Sequence, residues 1–264
     1  MDHRPMAWGR PRDDVYGAYD ATPMQANGTA NQHTQQPMVT GTSVIALKYK
    51  DGVVIAADNL GSYGSMARYT DVKRLRQFAD SAVIGFSGDV SDMQYLSRHL
   101  KDLSLSESYT SGDPDSTRLS AANLHTYLTK LMYRRRSKLD PLWNSILVAG
   151  FDDDKKPFLA ATDLLGSSFS APSLCTGLGS MLAQPILRRH APDDESAAKL
   201  SREEAVDIVK EAMKVLFYRD ARSSDSYSIA VVHADGVDLD EKAKLENMSW
   251  AFADRIKGYG AQTV

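Results

Sequence analysis

Apolar residues gather first in two runs, Val44-Ile45-Ala46-Leu47 and Val53-Val54-Ile55-Ala56-Ala57, separated by a stretch that contains Lys50-Asp51-Gly52. Asp-Gly between such runs favours a tight reversal, because those residues tolerate the left-handed backbone angles that the turn requires. The pattern predicts one β-hairpin over residues 39–58, with Gly41-Thr42 at the head of its first strand and Asp58 at the foot of its second. Opposite ends of an antiparallel hairpin lie side by side, so the Thr42 hydroxyl and the Asp58 carboxylate are expected to share a neighbourhood. That pairing is common and by itself uninformative. Residues 59–65 read as a glycine-rich loop, a charged stretch through Lys73, Arg74 and Arg76 follows, and residues 81–88 read as a short strand ending in a tight turn.

Helical spacing then takes over. Met93, Leu96, Leu100 and Leu103 predict a helix over residues 89–103, capped by Asp89 or Ser91. Residues 104–117 read as a polar loop, and Ala121, Leu124, Leu128 and Leu131 repeat the spacing in a second helix. Its end carries Arg134, Arg135, Arg136 and Lys138, cations at the negative end of the helix dipole. A solvated helix end is the plain reading of that run, and a contact with a partner subunit is the other. Two strands, 145–151 and 157–162, flank the acidic turn Asp152-Asp153-Asp154, read as hydrated rather than metal-binding.

A glycine turn at 175–180 leads into a predicted helix over 181–190, and Ser201-Arg202-Glu203-Glu204 is a capping box opening another. Ala205, Ile208, Val209, Ala212 and Leu216 form the buried stripe of that last helix, which is expected to end near residues 218–223. A final hairpin runs 227–233, turns at Asp235-Gly236 and resumes over 237–239. The order is strands, two helices, strands, two helices, strands. Hairpin-linked strands make antiparallel sheets, and each helix pair must cover an apolar sheet face, so the pattern predicts a single α+β sandwich domain of two stacked sheets with helices outside. Residues 1–38, polar and without periodicity, read as a leader or mobile arm. Residues 247–264 read as a tail whose aromatics suggest a partner surface.

Composition narrows the function by exclusion. The 264 residues carry 31 basic and 34 acidic side chains for a net charge of −3, which argues against a nucleic-acid binder needing a basic face. No apolar run approaches the roughly 18–20 residues of a membrane span, and no signal-peptide core is apparent, so no membrane partner and an intracellular site are expected. The single Cys175 forms no internal disulfide and reads as a small buried hydrophobe. The six histidines are scattered without ligand spacing, so no metal is expected. No phosphate-binding loop and no serine-hydrolase elbow is present, and Leu182 occupies the third glycine position of a dinucleotide fingerprint, so no cofactor is expected. What remains is Gly41-Thr42. A threonine hydroxyl needs a base, and one solution is the residue's own α-amine, with a pKa of roughly 7.7–8.0. While the Gly41-Thr42 bond is intact that nitrogen is an amide, and losing general-base catalysis typically removes about 10²- to 10⁴-fold in rate.

Gly41-Thr42, the hairpin ending Ala56-Ala57-Asp58, the Ser87-Gly88-Asp89 turn and Tyr218-Arg219-Asp220-Ala221-Arg222-Ser223 together resemble the proteasome β subunits, an N-terminal-nucleophile hydrolase fold of the four-layer αββα type. More narrowly, residues 34–37, 58–65, 134–138, Pro141-Leu142-Trp143-Asn144 and Lys257-Gly258-Tyr259-Gly260 are similar to the group at the seventh β position of the eukaryotic 20S core, called β type-4 in another nomenclature. The tail is most like that of fungal members. By position, the resemblance puts Thr42 where active subunits hold the nucleophile, Asp58 where they hold the carboxylate, Asp220 and Ser223 where they hold the supporting pair, and Gly88 at the backbone position that helps bind the reacting carbonyl. Two departures imply a vestigial site. Arg74 stands where active members have lysine, and a guanidinium is always protonated and cannot share protons as an ammonium can. Leu178 stands where they have a serine.

The resemblance therefore implies a non-catalytic subunit without cofactor. It implies a leader over 1–33 removed by a neighbouring subunit between His33 and Thr34, a retained extension over 34–41, the domain over 42–246 and a C-terminal arm over 247–264. Implied partners are the other β subunits of the same and the opposite ring, the α ring and assembly chaperones, in a hetero-oligomeric core found in cytoplasm and nucleus. Arg134, Arg135, Arg136, Lys138, Trp250, Phe252, Ile256 and Tyr259 are the candidate contact residues. An active threonine peptidase using Thr42 is the rival expectation, and a free-standing amidohydrolase or binding module of the same fold is a third.

Overall fold

The computed structural model describes residues 36–78, 82–111, 119–246 and 248–255. Two antiparallel sheets stack face to face. One has five strands in the order β11-β2-β3-β12-β13, where β2 is Val44–Tyr49, β3 Gly52–Asp58, β11 Ser173–Cys175, β12 Ser226–His233 and β13 Gly236–Lys244. The other has eight, along the path β10-β9-β8-β7-β1-β4-β5 with β6 also paired to β7. Its strands are β1 Val39–Gly41, β4 Gly61–Tyr63, β5 Met66–Tyr69, β6 Leu75–Phe78, β7 Ala82–Asp89, β8 Asn144–Phe151, β9 Pro157–Thr162 and β10 Ser168–Ser170. Helices α1 (Val90–Ser111) and α2 (Ala121–Ser137) lie on the eight-stranded sheet. On the five-stranded side, α4 (Gln184–His190) and α6 (Arg202–Arg219) are the main cover, with the single turns α3 (Gly179–Leu182) and α5 (Asp194–Ala197) beside them.

The side-chain alternation of each strand explains the four layers. Along β2, Val44 and Ala46 turn into the space between the sheets with Val83, Leu147 and Leu159, while Ile45 and Leu47 turn outward onto Leu187, Val209, Ala212 and Leu216 of the helices. The eight-stranded sheet does the same, with Ile84, Phe86, Ile146 and Val148 meeting Leu96, Leu100, Leu124 and Leu128. Central strands covered on both faces must be apolar on both, which is why β2 and β3 read as near-continuous apolar runs. Each fully buried Leu or Ile contributes about 1.5–3 kcal/mol. The expected α+β sandwich of two antiparallel sheets with helices outside is the fold observed.

Several local expectations are corrected. The hairpin is not one continuous pair over 39–58, because its first strand breaks at Thr42-Ser43: β1 belongs to the eight-stranded sheet, between β7 and β4, and β2 to the five-stranded one. The 59–65 loop is instead β4 and the turn into β5, a hairpin pairing Tyr63 with Met66. Helix α1 runs on to Ser111, through the first part of the expected 104–117 loop. The helix expected over 181–190 is split at Ala183, with Pro185 in the first turn of the second piece, where a missing N–H costs nothing. Strand β13 extends to Lys244, well beyond residue 239, because an edge strand tolerates polar side chains.

Candidate functional site

The corner at Thr42-Ser43, where the chain passes from one sheet to the other, gathers most of the candidate residues. The Val44 amide donates to Thr176 Oγ1 at 2.9 Å, the Thr176 amide returns a bond to the Val44 carbonyl at 2.8 Å, and the Gly179 amide donates to Ser43 Oγ at 2.8 Å. The half-buried Thr42 hydroxyl donates to Asp220 Oδ2 at 2.5 Å. Its carboxylate partner is therefore the C-cap of α6 and not Asp58. The other Asp220 oxygen accepts from the Arg222 amide at 2.9 Å, which fixes the carboxylate in place. Ser223 Oγ lies 3.0 Å from the Leu216 carbonyl and 2.8 Å from that of Asp220, so this hydroxyl serves the end of α6.

Arg74 is the hub of the corner and is only 1% exposed. Nε donates to the Asp58 carbonyl at 3.0 Å, Nη1 to the carbonyls of Thr42 at 2.8 Å and Phe86 at 3.1 Å, and Nη2 to the Ser43 carbonyl at 2.9 Å and to Asp58 Oδ1. A guanidinium has five N–H donors, and here each has an acceptor. The second Asp58 oxygen accepts from the Leu60 amide at 3.1 Å. Burial pushes the Asp58 carboxyl above the ordinary carboxylate range, with the Arg74 charge and the Leu60 amide opposing the rise. The stem of Arg74 lies on Gly41: a Cβ there would stand 2.3 Å from Arg74 Cδ. Gly41 is thus the space into which the arginine fits.

Gly88 sits between Gly41 and Asn144 in the eight-stranded sheet, with φ of +90° and its missing Cβ aimed at the Trp143 carbonyl. No residue with a side chain fits there without moving backbone. Leu178 opens α3 without a side-chain cap, and its side chain is half exposed, bringing no polar group to Thr42. Thr42, Asp58, Arg74, Gly88 and Asp220 thus surround one corner, whereas Leu178 and Ser223 flank it without a bond to Thr42. Ser43 and Thr176, which lock the corner, were not singled out by sequence; their roles depend on contacts between distant segments. Burial pushes the Cys175 thiol up to about 12, with Arg188 opposing, which suits a packing residue and not a nucleophile.

Two groups of contact candidates lie elsewhere. At the end of α2, Arg134, Arg136 and Lys138 are exposed, whereas Arg135 is held by Asp140. In the tail, Trp250 and Phe252 fold back onto α6, stacking on each other and edge-on to Tyr218 at 5.1 and 5.3 Å, yet remain 54% and 47% exposed. The Tyr218 hydroxyl fastens this turn by bonding the Ser249 carbonyl at 2.9 Å. The tail therefore both packs on its own domain and offers aromatic surface. His33, Thr34, Ile256 and Tyr259 lie outside the described residues. Among the described residues no group of His, Cys, Asp and Glu is arranged to hold a metal ion, and no helix is long and apolar enough to cross a membrane.

A family model described as proteasome subunit matches residues 38–232. Among curated proteins, proteasome subunit beta type-7 of Saccharomyces cerevisiae is 45% identical, with the whole of both chains covered. The probable proteasome subunit beta type-7 of Schizosaccharomyces pombe is 43% identical over 97% of each chain. Proteasome subunit beta type-4 of Xenopus laevis is 42% identical over 86% of this chain and 91% of its own.

Proposed function

Because the chain belongs to the proteasome β-subunit family, within its type-4/type-7 group, we propose that it is a non-catalytic member that builds the β ring of the 20S core and serves its assembly. The observation that carries this reading is the saturation of Arg74. A threonine of this kind becomes a nucleophile when its own amine takes up the hydroxyl proton and a neighbouring cation can share protons with it. Here every Arg74 N–H is committed to a backbone carbonyl or to Asp58, and the one reaching Thr42 goes to its carbonyl oxygen, not to its hydroxyl. A guanidinium does not give up a proton in any case. As long as the Gly41-Thr42 bond is intact, the Thr42 nitrogen is an amide and cannot serve as that base.

On this reading Thr42, Asp58, Arg74, Gly88, Leu178, Asp220 and Ser223 are what is left of a nucleophile site. The charged pair Asp58–Arg74 is kept for structure. The leader over 1–33 is removed by a neighbouring active subunit between His33 and Thr34, and residues 34–41 stay attached. The subunit meets β neighbours of its own and the opposite ring and the α ring below, and is met by assembly chaperones, in cytoplasm and nucleus. The half-exposed Trp250 and Phe252 support a role for the arm in holding the two rings together. Deleting residues 247–264 should then impair the joining of half-complexes, and normal joining without them would remove that part of the reading.

The rival reading, an active threonine peptidase, draws on the Thr42–Asp220 hydrogen bond as the start of a catalytic network. Intact mass and N-terminal sequencing of the subunit from its native complex separates the two. A start at Thr34 is expected; a start at Thr42 would show a free amine and make the chain a peptidase.

A further inference from the structure

Between α1 and the C-terminal half of α2 lies a cavity of about 420 Å³ that the corner at Thr42 does not use. Tyr95 and His99 stand four residues apart on α1, and Tyr127, Leu131, Arg134, Arg135 and Lys138 follow one stripe of α2, so the helical period alone brings them to one groove. Its floor is a file of flat rings. Tyr95 stacks on His99 with centroids 6.1 Å apart, His99 on Tyr127 at 5.8 Å, and His99 Nε2 lies 2.5 Å from the Tyr127 hydroxyl.

Its rim is cationic. Arg135 lies over the Tyr95 ring, 5.8 Å from its centroid, and is held there by Asp140 through Nε to the carbonyl at 2.9 Å and Nη2 to the carboxylate at 3.1 Å. Arg134 and Lys138 stand beside it, exposed. Among the residues lining the cavity, three cations thus stand against the Asp140 carboxylate, with Asp92 of α1 also near enough to interact with Arg135, on a chain whose net charge is −3. A guanidinium already fixed by two bonds loses little freedom when it binds, and a cation over an aromatic face is partly shielded from water, so this rim is pre-organised for an anion. One compact rim is not the extended basic track that a nucleic acid requires.

We propose that this pocket docks an acidic segment of a neighbouring protein chain, with carboxylates on Arg134, Arg135 and Lys138 and an apolar side chain seated on Tyr95 and Tyr127. The proposal rests on the reading above that the chain works inside a multi-subunit particle, and it names which part of the surface a partner takes and by what chemistry.

A carbodiimide, which joins an amine to a carboxylate only at ion-pair distance, tests it in the intact particle isolated through a tag on this chain, with peptides sequenced by mass spectrometry. Lys138 is expected to be joined to an Asp or Glu of a different chain. Lys138→Arg should abolish that product while the chain still enters the particle. Arg134→Glu with Lys138→Glu should lower the fraction of chain in the particle roughly tenfold, as like charges meet across the contact. Lys138 joined only to carboxylates of its own chain, or acetylated in the particle as fully as in the isolated chain, would overturn the pocket while leaving the subunit reading intact. Protection of Lys138 that vanishes on nuclease treatment would point to a nucleic acid and overturn it equally. Wild-type chain that sediments free of any large particle would overturn the subunit reading itself, and the pocket with it.

Discussion

Replacing Arg74 tests whether this side chain is the joint of the two sheets. Arg74→Met leaves the Asp58 carboxylate buried without a counter-ion, and breaking a buried pair from one side costs about 3–5 kcal/mol. It also strips the carbonyls of Thr42, Ser43, Phe86 and Asp58 of a donor, at roughly 1–3 kcal/mol for each one that relaxation cannot satisfy. A loss of at least about 4 kcal/mol is then expected, against a total stability for a domain of about 5–15 kcal/mol. Because such a variant can fail to fold, Arg74→Lys is the sharper probe. It keeps the charge but offers three donors to five acceptors, so at least two of those acceptors go short and a loss of roughly 2–4 kcal/mol follows. Urea unfolding of the purified chain, followed by tryptophan fluorescence, measures both changes. If Arg74→Lys unfolds at the wild-type midpoint with an unchanged slope, the carbonyls are served by something other than the guanidinium, and the joint is not what holds the corner. On the non-catalytic reading, Arg74→Lys should also remain unlabelled by a covalent threonine-directed probe, because Thr42 stays joined to Gly41 and its nitrogen stays an amide.

Gly41→Ala should destabilise the chain by about 1–3 kcal/mol through overpacking onto the Arg74 stem, and the loss should shrink in an Arg74→Ser background, read from the same urea curves. Ser201→Ala removes the N-cap of α6 and should cost about 0.5–2 kcal/mol, with Ser201→Asp close to wild type, seen as a shift in urea midpoint. Burial holds the His125 imidazole below its usual range, with its bond to the Ala161 carbonyl opposing. The unfolded chain therefore takes up a proton before the folded one, and stability is complete above about pH 6.5 and falls as the pH drops below it. Tm should decline more between pH 7.5 and 5.5 in wild type than in His125→Gln, and equal declines would exclude His125 as the cause.

The sequence makes the central hairpin legible because Asp51-Gly52 and two doubly apolar runs leave little choice of structure. The capping box at Ser201 is legible for a similar reason: its signal is local. The break at Thr42-Ser43 is not, since the side that β1 joins is decided by Gly88, Asp89, Tyr63 and Ser62, partners distant in sequence. The first helix extends to Ser111 through a Ser-rich stretch of poor propensity, and neither that extension nor the β4–β5 pairing is legible in composition. At the site, the hairpin geometry places Thr42 and Asp58 at one corner, but it does not say which carboxylate takes the hydroxyl, and that partner is Asp220. Asp220 reaches it only because α6 ends beside β2, a matter of packing between layers.

The position of β1 would tie any trimming of the chain to its shape. That short strand fills the place between β7 and β4 and ends at Gly41, one residue before the threonine. Neighbouring strands lie about 4.8 Å apart, so taking β1 out would leave a cleft of roughly 10 Å, wide enough for an extended peptide, open beside the Thr42 hydroxyl. A trim upstream of Val39 leaves that cleft occupied by the chain itself, with the β4–β5 hairpin still anchored. A trim at Thr42 would empty it and cast the hairpin loose, so the choice of cut decides whether the sheet is a closed wall or a slot.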